Sequence, residues 1–332
     1  MVEKEKKVPF SQILVDLADD SKPFPPRYLH RFSDLDRADL ASLKKTWPTV
    51  APTRKLNLLK DLEDLSDSET LVCFDEVAKI GLEDPSPQVR ALSAPLLWES
   101  EDGTLVPIFL SMMEKDADAD ARAAGATALG RYIYMGEIEE LSTEERQHIE
   151  DSLLLVCTGS DAPLVRRRAL ESLGFSSRPE VPVLIEKALD SREHGWIASG
   201  LFAISRSFNP KWEKEILKYM GNPDDDIRFE AIRAAGELEL AAARQPLLDS
   251  LEAGEEDGDN RLAVIWSLSQ IGGDGVQEAI QEALAECEDD EEAEYIEEAL
   301  TNLAFYEDFE LADLMDIESD IPKDDDGRDS QD

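Results

Sequence analysis

The sequence has little histidine, a common metal ligand. Of its 332 residues only three are histidine. His30, His148 and His194 are isolated, and none has a second ligand at the i+3 or i+4 spacing of a helical metal site. The glycine run at 272–275 follows a helix pattern rather than a strand, which is typical of a helix stop and not of a phosphate cradle. The sequence therefore predicts no metal, no cofactor and no enzymatic activity.

Cysteine is equally scarce. Cys73, Cys157 and Cys287 are odd in number, far apart and set in apolar or helical surroundings. This usage argues against a disulfide framework or a thiolate metal site, and it fits a reducing compartment. We expect these side chains to serve packing.

Long hydrophobic runs are absent. No stretch approaches 18 uninterrupted apolar residues, and residues 3–7 are all charged, so the N-terminus lacks the apolar core of a signal peptide. These two features predict a cytoplasmic protein that neither inserts into a membrane nor is secreted.

Basic residues are also few relative to acidic ones. Lysine and arginine total 34 against 75 aspartates and glutamates, which gives a net charge of −41. Residues 286–332 alone carry 21 acidic side chains against two basic ones. Such charge repels phosphates, so we expect no nucleic-acid partner.

What the sequence does contain is a turn-and-helix phrase that recurs every 30 to 34 residues in most of the chain. Its clearest copy spans residues 222–236, and a fixed period of this size indicates a stacked solenoid. The copies align on five arginines, with Trp196 and Tyr295 where further arginines are due; the arginines are Arg90, Arg122, Arg166, Arg228 and Arg261.

Each position of the phrase has a physical role. An acidic residue or asparagine, often with proline, ends one helix and caps the next. Ile227, Ala231, Ala234 and Leu238 then form one apolar stripe. Small residues such as Gly125 allow neighbouring helices to approach closely. The phrase therefore predicts an inner helix that packs on both sides.

A second apolar segment lies between successive copies and predicts an outer helix, so that each unit is a helical hairpin. These segments are residues 105–113, 149–156, 181–189, 212–220, 246–251 and 276–285. Two helices per unit and a phrase of the form Asp-Pro-x-x-x-Val-Arg-x-x-Ala-x-x-Ala-Leu-Gly resemble the HEAT repeat family, especially its short bacterial form, which also occurs in bilin lyase subunits. The resemblance covers about residues 68–305 and implies an all-α, ARM-type α-solenoid, a superhelix of helical hairpins.

The repeats also suggest a division of the chain. We expect a flexible N-terminal segment over residues 1–30, an atypical helical N-cap over 31–67, one continuous solenoid over 68–305, and an acidic, largely disordered tail over 306–332. The 44-residue gap between Arg122 and Arg166 predicts a longer outer helix and loop near residues 136–146. The piece at 309–317 either packs as a last capping helix or docks into a groove.

An acid precedes most of the repeat arginines by four to six residues. This spacing predicts a structural turn-to-turn ion-pair ladder, similar to the Asp/Arg ladder of the HEAT family. The pairs would be Asp84 with Arg90, Asp116 or Asp118 with Arg122, Asp161 with Arg166, and Asp224 with Arg228. The ladder residues are Asp84, Arg90, Asp118, Arg122, Asp161, Arg166, Asp224, Arg228 and Arg261.

Two sets of residues are candidate partner contacts, each with a packing or solvated role as the alternative, and exposed positions on inner helices are a third. Arg167 and Arg168 belong to a triple arginine that cannot all serve one ladder. The unit with His194 breaks the phrase, and broken repeats often carry function. The complete set is Arg167, Arg168, His194, Trp196, Arg206, Trp212, Glu230, Arg233 and Trp266.

The extended surface of a solenoid suits protein binding better than small-molecule catalysis. We therefore predict a non-enzymatic scaffold or adaptor whose concave face binds a protein partner, either an extended or a basic segment. The alternative is an accessory or chaperone-like subunit of an enzyme system, such as a bilin lyase-type HEAT protein, which the resemblance implies.

Overall fold

The computed structural model describes residues 8–254 and 258–319, from residue 306 onward as backbone alone. Over these ranges the chain is helical and contains no strand. It divides into two compact units, Met1–Ser191 and Arg192–Asp332. None of the helices in the described ranges has the length and apolar character needed to cross a membrane.

Among its described residues the first unit contains ten α-helices. They are α1 (Phe10–Ala18), α2 (Arg37–Thr46), α3 (Pro52–Ser68), α4 (Asp75–Leu82), α5 (Pro87–Ser93), α6 (Val106–Lys115), α7 (Ala119–Glu137), α8 (Thr143–Thr158), α9 (Pro163–Leu173) and α10 (Glu180–Leu189). Short 3₁₀ helices occupy Pro26–Phe32, Trp47–Thr49, Pro95–Leu97 and Gly103–Leu105.

The second unit contributes seven more among the described residues. They are α11 (His194–Ser205), α12 (Glu213–Tyr219), α13 (Asp225–Glu237), α14 (Arg244–Ala253), α15 (Gly258–Ile271), α16 (Val276–Glu286) and α17 (Asp290–Ser319). Two 3₁₀ helices, Pro210–Trp212 and Ala241–Ala243, precede α12 and α14.

In both units the helices form hairpins that stack through one row. The outer helices α4, α6 and α8 pair with α5, α7 and α9, while α3, α5, α7 and α9 contact one another in series. In the second unit α12, α14 and α16 pair with α13, α15 and α17, and the series α11, α13, α15 and α17 forms the inner row. This arrangement confirms the predicted all-α solenoid.

The inner helices approach closely because small residues face the neighbouring helix. A Cβ on Gly125 would lie 2.9 Å from the backbone nitrogen of Met113 on α6. A Cβ on Gly236 would lie 2.8 Å from the Cα of Ser267 on α15. Ser267 Oγ donates a hydrogen bond to the Ile232 carbonyl at 2.8 Å, so this contact also satisfies a buried hydroxyl.

The N-terminal segment differs from the expectation of a flexible stretch over residues 1–30. Helix α1 buries one apolar face, Phe10, Ile13, Leu14 and Leu17, in a core that also contains Trp47. The i, i+3, i+4, i+7 spacing of these side chains makes α1 amphipathic, and burial of that face holds it in place. Residues 1–7 lie outside the described part of the chain.

The long gap between repeats is filled by helix at both ends. Helix α7 continues to Glu137 and α8 begins at Thr143, where the Ser142 hydroxyl accepts from the Glu145 backbone N–H at 3.2 Å. At the C-terminus α17 continues through Ser319, past the expected start of the tail at residue 306. The docking prediction for residues 309–317 concerns side chains that lie outside those described. The predicted tail beyond residue 319 also lies outside the described part of the chain.

Candidate functional site

Each well-defined ladder arginine bonds in two directions. One edge of the Arg90 guanidinium donates to the carbonyl oxygens of Asp84 (2.8 Å) and Pro85 (3.1 Å) in its own turn. The other edge donates to both carboxylate oxygens of Asp116, at 2.8 Å each. Because the guanidinium is a planar fork with donors on both edges, it binds its own turn and the next repeat at once.

Arg122 repeats this geometry one unit later. It donates to the Asp116 and Ala117 carbonyls at 2.7 and 3.1 Å, and to the Asp161 carboxylate at 2.9 and 2.7 Å. The hydrogen bond from Arg122 is the main cause that lowers the pKa of Asp161, against a smaller opposing effect of burial. The same pair raises the pKa of Arg122.

These contacts correct the predicted pairing. The spacing assigned Arg90 to Asp84 and Arg122 to Asp116 or Asp118. In the structure the carboxylate comes from the next repeat, Asp116 for Arg90 and Asp161 for Arg122. The edge of the guanidinium that faces its own turn is already occupied by backbone carbonyls, which leaves only the far edge for an ion pair. Arg261 likewise donates to Glu292, 31 residues ahead, at 2.8 Å.

The other predicted acids have different roles. Asp118 caps α7 by accepting from the backbone N–H groups of Asp120 and Ala121. Asp224 caps α13 by accepting from the Ile227 backbone N–H, and it also accepts from His194 Nδ1 at 2.5 Å. The bond from the Ile227 N–H is the main cause that lowers the pKa of Asp224. Arg228 donates to the Asn222 carbonyl and to Asp225, and Arg166 donates to the Cys157 carbonyl.

The sequence reasoning missed the first cation of the ladder, Lys55. Its ammonium lies 2.6 Å from Asp84 Oδ2, and both side chains are almost fully buried. Trp47 Nε1 donates to the same carboxylate oxygen at 2.8 Å. A signal was present: Pro52 stands three residues before Lys55, as Pro87 does before Arg90.

Burial of the Asp84 carboxyl raises its pKa, but the hydrogen bonds from Lys55, from the Ser86 backbone N–H and from Trp47 together outweigh burial. The pKa of Asp84 therefore lies below its ordinary value. The region expected to be an atypical cap thus contributes one ion pair of the ladder.

Several candidate partner contacts lie in structural roles. Trp212 is only 4% exposed, so the structure contradicts its assignment as a surface contact. It is buried at the end of the 3₁₀ helix that precedes α12. Arg168 forms an ion pair with the nearly buried Glu171 at 2.6 Å. Arg206 lies 4.3 Å above the Phe202 ring on its own helix. Arg167 and Trp196 are half-buried.

Three of the remaining candidates share the solvent-facing side of α13 and α15. Glu230 and Arg233 lie one turn apart on α13, and Trp266 follows on α15. The Arg233 guanidinium lies 5.6 Å from the centroid of the Trp266 ring and 6.0 Å from that of Phe229, within cation–π range. Glu237 accepts from Arg233 at 3.3 Å.

Phe229, Arg233 and Trp266 line an open pocket of about 310 Å³, which we call the aromatic pocket. It spans three successive inner helices, and its lining residues are Phe229, Arg233, Asp259, Leu262, Ala263, Trp266 and Tyr295. Burial raises the pKa of Tyr295, and the Arg233 charge opposes that rise. The phenol is therefore neutral at physiological pH and adds an aromatic face with a hydroxyl.

The sequence reasoning found Glu230, Arg233 and Trp266 but missed Phe229, Asp259 and Tyr295. Tyr295 was noticed only as a departure from the arginine phrase. A recurring spacing marks this surface: Phe229 and Leu262 each lie one residue after a repeat arginine, and Arg233 and Trp266 each lie five residues after one.

Among residues 8–254 and 258–305, whose side chains the structure describes, no group of three or more His, Cys, Asp or Glu side chains is arranged to hold a metal ion. The aromatic pocket presents aromatic faces, one guanidinium and one carboxylate. This set suits recognition of a protein side chain by stacking and charge.

Comparison with known proteins identifies one family model that matches part of the chain. Residues 210–301 match the family model of HEAT repeats. No curated protein sequence matches the chain. Three similar solved structures are YibA of E. coli (14% identity, 86% of this chain and 98% of that chain, TM-score 0.42), human deoxyhypusine hydroxylase in complex with glycerol (16%, 89% and 96%, 0.38), and Kap95p bound to RanGDP (13%, 89% and 40%, 0.37).

The matched region comprises the hairpins α12–α13 and α14–α15 and most of α16–α17. The hairpins α4–α5, α6–α7 and α8–α9 repeat that architecture upstream, with the same arginine at the start of each inner helix. Residues 210–301 of this chain are HEAT repeats, and the upstream hairpins share their arrangement.

Proposed function

We propose that this protein is a non-enzymatic scaffold that binds a protein partner on the solvent-facing side of its inner helices, with the aromatic pocket as the anchor. The observation that supports this proposal is the group of Phe229, Arg233, Trp266 and Tyr295 around one pocket. Aromatic and arginine side chains are the types that dominate binding energy at protein interfaces.

The chemistry of the pocket favours an extended partner segment that carries lysine or arginine. Trp266 and Tyr295 offer aromatic faces to a long aliphatic stem or a cation, and Asp259 offers a carboxylate. Glu230 and Glu237 on α13 add negative charge beside it. The net charge of −41 attracts a basic partner from a distance.

The test is affinity capture of the tagged protein from its own host, followed by binding measurements with the purified partner. The site variant is Arg233→Ala with Trp266→Ala. The matched control is Arg37→Ala with Leu71→Ala, which removes one exposed arginine and one exposed apolar side chain from the first unit. We expect the site variant to weaken binding by roughly a hundredfold, since each anchor contributes about 1–2 kcal/mol, and the control to bind as wild type does.

Trp266 packs against Gly236, so its removal also perturbs the contact between α13 and α15. Arg233→Gln is therefore a second variant, because the Arg233 side chain is 40% exposed and its replacement leaves that contact intact. Circular dichroism checks the helical content of each variant. Full partner binding by both site variants would sink the proposal.

A further inference from the structure

Helices α8 and α10, both in the first unit, carry more apolar surface than the fold uses. An outer helix of a hairpin stack needs one apolar stripe for its inner neighbour. On α8 that stripe is Ile149, Leu153 and Cys157, and on α10 it is Val181, Ile185 and Ala188; all six are buried. Each helix carries two further apolar side chains that are not part of this stripe, Leu154 and Leu155 on α8 and Val183 and Leu184 on α10.

One of these two additional side chains faces solvent on each helix. Leu155 is 75% exposed and Val183 is 62% exposed, and they lie beside the half-buried Leu154 and Leu184. These four side chains line a groove of about 820 Å³ between the two helices, which we call the outer groove. Exposed aliphatic side chains gathered in one concave surface are typical of an interaction site.

The rim of the outer groove is acidic. Asp151 from α8 and Glu180 from α10 are its two charged lining residues. Arg178 joins them, with its Nη atoms 2.5 Å from Asp151 and 3.1 Å from Glu180, and lies 4.0 Å from Glu150. Because Glu150 is buried and does not line the groove, Asp151 and Glu180 against one guanidinium leave one negative charge at the rim.

We propose that the outer groove binds an amphipathic helix of a partner protein whose apolar stripe is flanked by lysine or arginine. Leu154 and Leu155 on one side and Val183 and Leu184 on the other are placed to receive a stripe with i, i+3, i+4, i+7 spacing, the usual mode of helix-in-groove recognition. Helix α10 is ten residues long, about 15 Å, which matches roughly three turns of a bound helix.

Charge distinguishes this occupant from a second copy of the chain. Two copies would bring two acidic rims together, each on a molecule with a net charge of −41. A basic helix, in contrast, places its flanking cations beside Asp151 and Glu180. The outer groove is separate from the aromatic pocket, so this inference does not depend on the proposed function.

The test uses a fluorescein-labelled helical peptide of about 18 residues, roughly five turns, with leucine at the i, i+3, i+4, i+7 positions and lysine elsewhere. A scrambled isomer of the same composition distributes its leucines around the helix. Anisotropy measures binding of both peptides to the full chain at physiological salt. The groove variant is Leu155→Gln with Val183→Gln, and the matched control is Leu71→Gln with Val15→Gln, which also removes one exposed leucine and one exposed valine.

We expect wild type and the control to bind the amphipathic peptide at least about tenfold more tightly than the scrambled isomer, and the groove variant to lose that preference, since two aliphatic contacts are removed. Equal binding of both peptides to wild type would show attraction by charge alone and overturn the proposal. Unchanged binding by the groove variant would overturn it too. A dimer of the wild type that is lost in the groove variant, both measured by sedimentation, would also overturn the proposal, because the occupant would then be a second copy.

Discussion

Replacement of Lys55 by methionine should destabilise the first unit strongly. Lys55 and Asp84 have side chains that are 6% and 2% exposed, and their charged atoms are 2.6 Å apart. Removal of one partner of a buried ion pair leaves the other charge uncompensated, which typically costs about 3–5 kcal/mol. Trp47 and the Ser86 backbone N–H still donate to Asp84, so we expect about 3 kcal/mol, the lower end of that range.

The assay is urea and thermal unfolding followed by far-UV circular dichroism. For a unit of this size a loss of 3 kcal/mol corresponds to a fall in Tm of roughly 6–12 °C. Lys22→Met is the matched control, because the Lys22 side chain is 78% exposed in its pair with Asp19; we expect no resolved change. The double variant Lys55→Met with Asp84→Asn removes the buried charge and should regain at least about 1 kcal/mol.

The effect should depend on pH with a defined sign. The pKa of Asp84 is lowered in the folded protein, so its ionised form stabilises the fold above the ordinary carboxyl pKa, and this contribution disappears as pH falls through the folded value. In Lys55→Met the ammonium that donates to Asp84 is lost while burial remains, so the pKa of Asp84 rises. The difference between wild type and variant is therefore greatest near pH 7 and shrinks below about pH 4. A difference under about 0.5 kcal/mol at pH 7, or one that does not change with pH, would refute this reasoning.

Three further predictions follow from close contacts and burial. Gly125→Ala should cost about 1–3 kcal/mol in chemical denaturation, because the new Cβ meets the α6 backbone, whereas Gly103→Ala, which has open space around it, should be neutral. Arg122→Lys should cost about 1–2 kcal/mol in the same assay, because lysine cannot bond the Asp161 carboxylate and the turn carbonyls together; an unchanged midpoint would argue against the two-edged contact. Burial raises the pKa of the Cys157 thiol to about 11, so a thiol reagent at pH 8 should label at most Cys73 and Cys287 in the folded protein and the third thiol only in urea.

The sequence predicted the local features of this protein well. Some helix starts follow from short-range chemistry: Ser142, Asp118 and Asp224 each accept from backbone N–H groups two or three residues ahead. The caps expected from the turns at Asp84 and Asp161 do not form, and α5 and α9 begin at prolines without a side-chain cap. The position of each inner helix follows from its small residues, as at Gly236. Both signals lie within one repeat, so the hairpin solenoid could be read directly from the chain.

The carboxylate partners of the ladder cations could not be predicted from residues close in sequence. The acid nearest in sequence to Arg90 is in its own turn, but that turn presents carbonyl oxygens to the guanidinium, and the carboxylate of Asp116 comes from the next repeat. Which acid an arginine reaches depends on the offset between stacked hairpins. Lys55 was overlooked for the same reason, since its partner Asp84 lies 29 residues away.

The two candidate surfaces depend even more on stacking. Phe229, Trp266 and Tyr295 belong to three different helices, and Leu155 and Val183 to two, so no single repeat reveals either site. The sequence by itself determined the repeat, its helices and some of their caps, because these arise from contacts a few residues apart. Only the tertiary structure decided which charges pair and which exposed side chains gather into a pocket, because both depend on the distance and rotation between neighbouring helices.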